Sequence, residues 1–266
     1  MSDILQRALT GAVFLVVMIS AIMYGSLTCF WLFAAIVVVG NWEYYKLQKS
    51  MSNFKKIIGL LLTFVIFTAV CSEYIYAIPA LYSAAIIAFI SMACSVFISD
   101  RTNLSDWAHS VFGQVYVTMP FVMLYVLAVS NYYYEYQIIL SFFILLWLSD
   151  TGAYLVGKYF GSHKMIPKVS PKKTWEGLAG GVGFALLGAF ALQFFNFQMI
   201  PLPWFVLALL VSLLGAVGDL FESQLKRNKG VKDSGNFMPG HGGILDRFDG
   251  VLLSVPVIFA LVKLLA

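Results

Sequence analysis

Residues 177–218 run for 42 positions without a charged side chain, and residues 8–42 and 57–72 are equally free of charge. A helix needs only about 20 predominantly apolar residues to cross the hydrocarbon core of a bilayer. Runs this long and this apolar call for lipid, not water, as the solvent. Composition agrees: 61% of the 266 residues are hydrophobic and 11% are charged, against roughly 45–50% and about 25% in a soluble domain. A soluble enzyme, a secreted disulfide scaffold, a disordered chain and a coiled coil are excluded. Cys29, Cys71 and Cys94 fall inside apolar runs with no CxxC pair, so they read as packing residues and not as disulfides or zinc ligands. The net charge of +4 sits in loops between apolar runs. It is no nucleic-acid footprint, and no nucleic-acid partner is expected.

Nine apolar segments lie near 8–25, 27–42, 57–72, 75–98, 108–130, 137–157, 178–197, 202–219 and 249–265. Alternating strand patterning is absent, and an open sheet would leave its edges unsatisfied in lipid. The pattern predicts an all-α polytopic integral membrane protein with about nine transmembrane helices. Arg7 followed by an apolar run reads as the start of a first span, not as a signal peptide. With the N-terminus in the cytoplasm, 16 of the 17 Lys and Arg residues fall on the cytoplasmic side; Lys263 alone does not. The opposite loops carry only Glu73 and Glu135. This strongly obeys the positive-inside rule. Trp42, Trp107 and the tyrosines at 132–134 fit an aromatic belt. The whole chain, 1–266, reads as a single membrane-embedded domain. Residues 1–136 form N-terminal helices for scaffold and lipid access, and residues 137–266 form the C-terminal catalytic helices and loops.

Charge is concentrated in two windows, 150–176 and 219–249, which hold 10 of the 17 basic and 7 of the 13 acidic residues. Both fall on the same predicted side, joined by an uncharged helical hairpin. In the first window Asp150 follows the apolar run 142–149. A carboxylate inside a span is costly and tends to face a polar cavity, although capping or an interfacial position explains it equally well. Five lysines with the single acid Glu176 at 158–176 suit an anion site, with topology and anionic-lipid contact as the plainer reading. Pro167 and Pro171 keep that loop from forming one helix. Residues 152–158 spell the start of a P-loop, but Tyr159 replaces the needed Ser or Thr and no strand precedes it. Gly177, Gly180, Gly181 and Gly183 suggest close helix packing.

In the second window Asp219, Glu222, Ser223 and Lys226 fall at i, i+3, i+4 and i+7, one face of a helix. Asp246 and Asp249 are three apart around Arg247, at the predicted start of the last helix. A helix dipole alone would favour carboxylates there. Taken together, the parts say more. Asp219 and Asp246 offer hard oxygens for Mg²⁺. Lys226, Arg227, Lys232 and Arg247 can neutralise phosphate. Gly240, Gly242 and Gly243 flank His241 and allow close backbone approach. Metal-ligating acids, phosphate-binding bases and a glycine turn are the components of phosphoryl or nucleotidyl transfer.

The pattern S-x-L-K-R-x4-K-D-x-G-x2-M-P-x-H-G-G-I-x-D-R-F-D over residues 223–249 resembles the signature of the phosphatidate cytidylyltransferase (CDP-diacylglycerol synthase) family. Met238 is the one departure, standing where the family usually carries another apolar residue. The stretches at 149–161 and 170–177 are also similar to the family, and the resemblance extends over the chain. It implies Mg²⁺-assisted transfer of a cytidylyl group from CTP to phosphatidate, with one metal ion or two, releasing pyrophosphate in phospholipid biosynthesis. Metal ligation falls to Asp219, Asp246 and Asp249. Lys226, Arg227, Lys232 and Arg247 hold phosphates, and Ser223 contacts phosphate or metal-bound water. Lys168, Lys172, Lys173, Thr174 and Glu176 contact CTP or the lipid phosphate. Gly242 and Gly243 contact substrate, and His241 either bonds phosphate or fixes the glycine turn. The expected setting is the inner (plasma) membrane, with the active site facing the cytoplasm and membrane lipid alongside. Glycine-rich helices leave a homodimer open. A CTP-dependent lipid or polyprenol kinase would share this chemistry but release CDP. A polytopic transporter would instead place its charges near the bilayer midplane.

Overall fold

The computed structural model describes residues 3–48, 51–71, 104–130, 133–194, 201–238, 240 and 242–265. They form a helical bundle with two short hairpins. The helices are α1 (Asp3–Tyr24), α2 (Ser26–Leu47), α3 (Asn53–Cys71), α4 (Leu104–Gly113), α5 (Met119–Ala128), α6 (Tyr136–Phe160), α7 (Trp175–Phe194), α8 (Trp204–Asn228) and α9 (Leu245–Leu265). A π-helical turn, Gln114–Thr118, joins α4 to α5 into one rod. Pro120 accounts for it: its ring has no N–H for the carbonyl of Tyr116 and clashes with it, so the backbone widens there.

Among the described residues seven rods are long and apolar enough to cross a membrane, with Ser105–Ala128 counted as one. α1 contributes a shorter apolar helix, Ala8–Tyr24. Of the nine expected spans, the described residues thus hold seven long ones and this shorter helix. The expected span at 75–98 lies outside the described residues, as do His241, Cys94 and Arg101. The all-helical expectation holds apart from two small antiparallel ribbons. β1 (Val129–Ser130) pairs with β2 (Tyr133–Tyr134), and β3 (Lys164–Ile166) pairs with β4 (Ser170–Thr174). Pro167 stands in the turn of the second ribbon.

Several outer surfaces are as apolar as the core. Leu9, Val13 and Val16 on α1 and Leu187, Phe190 and Phe194 on α7 are all exposed, as suits helices that meet lipid on their outer side. Inside, Phe33, Phe121, Phe143 and Phe248 tie α2, α5, α6 and α9 through ring contacts at 5.2–6.1 Å. The α6–α7 pair is closer still. A Cβ at Gly152 would stand 2.7 Å from the carbonyl of Gly180, and one at Gly181 would stand 2.9 Å from that of Ser149. The sequence expectation of close packing is met at Gly177, Gly180 and Gly181; Gly183 faces open space. Ser149 and Ser212 hydroxyls, 2.7 Å apart, join α6 to α8.

A second polar layer sits between α2, α3 and the π turn. Gln114 Nε2 donates to Tyr45 Oη at 2.9 Å, Gly59 O at 3.0 Å and Thr63 Oγ1 at 3.0 Å. Asn41 Nδ2 donates to Thr118 Oγ1 at 2.9 Å. Nearby, Lys55 Nζ pairs with Asp106 Oδ2 at 3.1 Å, with both side chains buried. The sequence reading puts Lys55 in a cytoplasmic-side loop ahead of the apolar run 57–72; α3 begins at Asn53 and takes it inside.

Candidate active site

The two charged windows meet at one end of the bundle. α6 ends in the β3–β4 hairpin, which leads into α7; α8 ends in the loop 229–244, which leads into α9. Lys173 on β4 reaches across to α8. Its Nζ lies 2.6 Å from Asp219 Oδ2 and donates to the carbonyl of Ala216 at 3.1 Å. Asp219 Oδ1 accepts from Ser223 Oγ at 3.2 Å, one helical turn on. The expected stripe along α8 is thus a single continuous face.

Lys226 lies one further turn along that stripe. Its ammonium pairs with Glu222 Oε2 at 2.5 Å and with Asp246 Oδ1 of α9. Glu222 is only 1% exposed. A buried cation between two carboxylates is held by geometry rather than by net Coulomb gain, since desolvation offsets much of the attraction. α8 and α9 cross on glycines, with Gly215 against Gly250 and Gly218 against the backbone of Asp249. That crossing brings Asp249 beside the stripe. Asp249 interacts electrostatically with Asp219, Glu222 and Asp150. Asp150 on α6 is in turn acted on by Lys173 and Arg247. Both carboxylates of α9 fall in its first turns, because the helix starts at Leu245.

Asp246 is engaged on both oxygens. Besides the Lys226 contact, its Oδ2 accepts from Ser234 N at 2.9 Å, Ser234 Oγ at 3.0 Å and Gly243 N at 2.8 Å. It reaches back over its own helix N-terminus, as an acidic residue in a capping box does. In this geometry Asp246 anchors the loop 234–243, and ligation of a metal would require it to release those donors. Gly242 supports the same turn: its φ of 84° is a left-handed conformation natural to glycine. Its carbonyl accepts from Met238 N at 3.0 Å.

Other expected residues, Arg247 excepted, stand apart from this centre. Thr174 Oγ1 accepts from Gly177 N at 3.1 Å and caps α7. Glu176 gathers Ser162 Oγ at 2.8 Å, His163 Nδ1 at 2.5 Å and both backbone amides, holding the hairpin to α7. Lys168 and Lys172 are exposed on the hairpin. Arg227 donates to Val231 O at 2.9 Å, and Lys232 is exposed on the following loop. Arg247 is exposed beside Asp150.

Sequence reasoning missed Glu43. It lies on α2, 4% exposed, and its Oε2 accepts from Ser234 Oγ at 3.2 Å and Leu245 N at 3.0 Å. The signal was present: a lone acid abutting a long charge-free run invites a search for its partner. Ending the second span at residue 42 hid it, since α2 runs on to Leu47.

For Mg²⁺, the donor chemistry suits Asp249, a hard oxygen donor beside further acids, and Asp219, which would have to release Lys173 or Ser223 to ligate. Among the described residues no three acidic, His or Cys side chains come together to hold an ion by themselves. Mg²⁺ usually takes only one or two carboxylates, the rest being waters and substrate phosphates.

Long apolar rods with a charged centre at one end define an integral membrane protein. The chain matches the cytidylyltransferase family over residues 5–265. It is 35% identical over 257 residues to a phosphatidate cytidylyltransferase of Staphylococcus aureus (strain COL), covering 95% of this chain and 96% of that protein. It is 33% identical over 274 residues to a phosphatidate cytidylyltransferase of Bacillus subtilis (strain 168), covering 99% of each. The chain belongs to the cytidylyltransferase family and is a nucleotidyltransferase.

Proposed function

We propose that this chain transfers the cytidylyl group of CTP to phosphatidate, giving CDP-diacylglycerol and pyrophosphate. The observation that carries the reading is the Lys173–Asp219 pair. It joins the two charged windows into one centre, in a chain whose near full-length relatives bear the name phosphatidate cytidylyltransferase.

The chemistry follows from the charges. A phosphate monoester has a second pKa of about 6 for comparable groups, so the lipid phosphate is largely dianionic near neutral pH. One of its oxygens attacks the α-phosphorus of CTP; a new P–O bond forms, the bond from the α-phosphorus to the bridging oxygen breaks, and pyrophosphate leaves with that electron pair. No strong general base is needed. The barrier is anion meeting anion, and it falls when charge is neutralised and the reacting atoms are aligned. Lys173, Lys226 and Arg247 supply positive charge, with Arg227, Lys232, Lys168 and Lys172 toward the water-facing side. Bound Mg²⁺, held by Asp219 and Asp249, would supply further neutralisation of the phosphates. Asp246 holds Lys226 and the glycine turn in place, and Ser223 orients Asp219.

The site lies at the end of the bundle that carries most of the basic residues, which supports a cytoplasmic N-terminus and a cytoplasm-facing site in the plasma membrane. A homodimer, the remaining expectation, draws no support from the glycine faces on α6 to α9, most of which pack within the chain.

The test uses purified protein in detergent with phosphatidate, α-labelled CTP and Mg²⁺. Label in the lipid phase with stoichiometric pyrophosphate supports the reading. Release of CDP without lipid label would make the chain a kinase, and neither product from folded protein would sink the proposal.

A further inference from the structure

We infer that Glu43, from the N-terminal half of the chain, is a positioning residue for the loop that carries the site. A buried acid at a helix N-terminus is often only a cap, but the contacts here exceed that role. Glu43 Oε2 accepts from Leu245 N at 3.0 Å, the first residue of α9. It accepts also from Ser234 Oγ at 3.2 Å, and Ser234 in turn donates to Asp246 Oδ2 at 3.0 Å. Asp246 holds Lys226. A continuous polar chain therefore runs from α2 through Ser234 and Asp246 to the cation on α8.

The glycines give the second, independent observation. A Cβ at Gly235 would stand 2.3 Å from Glu43 Oε1, and its three nearest atoms all belong to Glu43. A Cβ at Gly243 would stand 2.4 Å from Glu43 Oε2. Two glycines of the motif thus form a slot for a side chain 192 and 200 residues earlier in the sequence, not for nucleotide. Gly243, expected to contact substrate, faces Glu43 and donates its N–H to Asp246. The Oε1 atom in this slot is buried with no hydrogen-bond partner among the described residues, so the carboxylate is held there by shape and by the two bonds of Oε2.

Glu43 touches no reacting atom in this scheme; it acts by fixing where Asp246, and through it Lys226, stand. The inference rests on the proposed transfer reaction for its rate readout only. Glu43→Ala should lower kcat by about a hundredfold, the scale of an ångström-sized misplacement, with the KM for CTP little changed. Glu43→Gln keeps an acceptor oxygen of the same reach and should restore most of the rate. Gly235→Ala should lower kcat in the parent chain, yet add little once Glu43 is Ala, because the slot is then vacant. Independent losses that multiply in the double variant would overturn the inference. So would near-normal turnover in Glu43→Ala. Limited trypsin digestion in detergent reads the loop without any assay of transfer: Glu43→Ala should hasten cleavage at Lys229 and Lys232, and Glu43→Gln should not. Unchanged cleavage overturns the inference even if transfer is confirmed. An inactive parent chain with the expected cleavage pattern overturns only the reaction.

Discussion

Gly218 on α8 meets α9 so closely that a Cβ there would stand 2.4 Å from the backbone oxygen of Asp249. The next residue on α8 is Asp219, so this backbone contact sets how near the two carboxylates lie. Gly218→Ala must push the helices apart. The expected cost is about 1–3 kcal/mol, the scale of overpacking in a filled interior, with loss of turnover. Thermal unfolding in detergent and the labelled-CTP assay check both. Gly183→Ala is the control: nothing lies within 4 Å of its Cβ position, and neither quantity should move.

Lys55 and Asp106 form an ion pair at 3.1 Å with side chains about 5% and 4% exposed. Removing one partner strands a buried charge. Asp106→Ala should destabilise the protein by about 3–5 kcal/mol, while replacing both residues with apolar ones of similar size should recover most of the loss. Unfolding midpoints of the single and double variants decide the matter.

Asp246 and Asp249 sit on one helix but in different surroundings. Asp246 is bonded through both oxygens, whereas Asp249, whose Oδ1 accepts from the neighbouring Gly250 N at 2.7 Å, faces the acids Asp219, Glu222 and Asp150. Asp249→Asn should raise the Mg²⁺ concentration needed for half-maximal rate. Asp246→Asn should lower turnover severely, with membrane insertion intact, while the residual rate keeps the parent's Mg²⁺ dependence. A Mg²⁺ titration of each variant distinguishes ligand from anchor, and identical shifts would return Asp246 to the metal.

Lys46 is exposed at the end of α2, its ammonium 4.9 Å from the Trp42 ring centroid. Its charge serves topology. Lys46→Gln should leave turnover unchanged in correctly inserted protein, as measured by the same assay.

The sequence carried the spans and the charged stripe because both obey a local rule. Charge-free runs report burial in lipid, and the spacing from Asp219 to Lys226 reports one helical face whatever the tertiary fold. The two windows could be placed on one side by counting crossings. Partnership could not be read this way. Nothing in the hairpin residues says that Lys173 rather than Lys172 meets Asp219, that Thr174 is a cap, or that Glu176 turns back to His163. Those outcomes depend on the angle at which β4 leaves the ribbon. Glycine was similarly ambiguous. Gly243 looks like a place for ligand until α2 is packed against it, and then the closest approaching group is Glu43.

The Glu43 contacts also bear on how the protein is made. Residue 43 enters the membrane early in synthesis, but its hydrogen-bond donors belong to residues 234 and 245. Until nearly the whole chain has left the ribosome, α2 carries an acid with neither donor to satisfy it. A chain shortened before α9 would never supply the Leu245 donor. Its defect would therefore reach beyond the missing helix to the first hairpin of the bundle, where membrane quality control could recognise an unpaired charge.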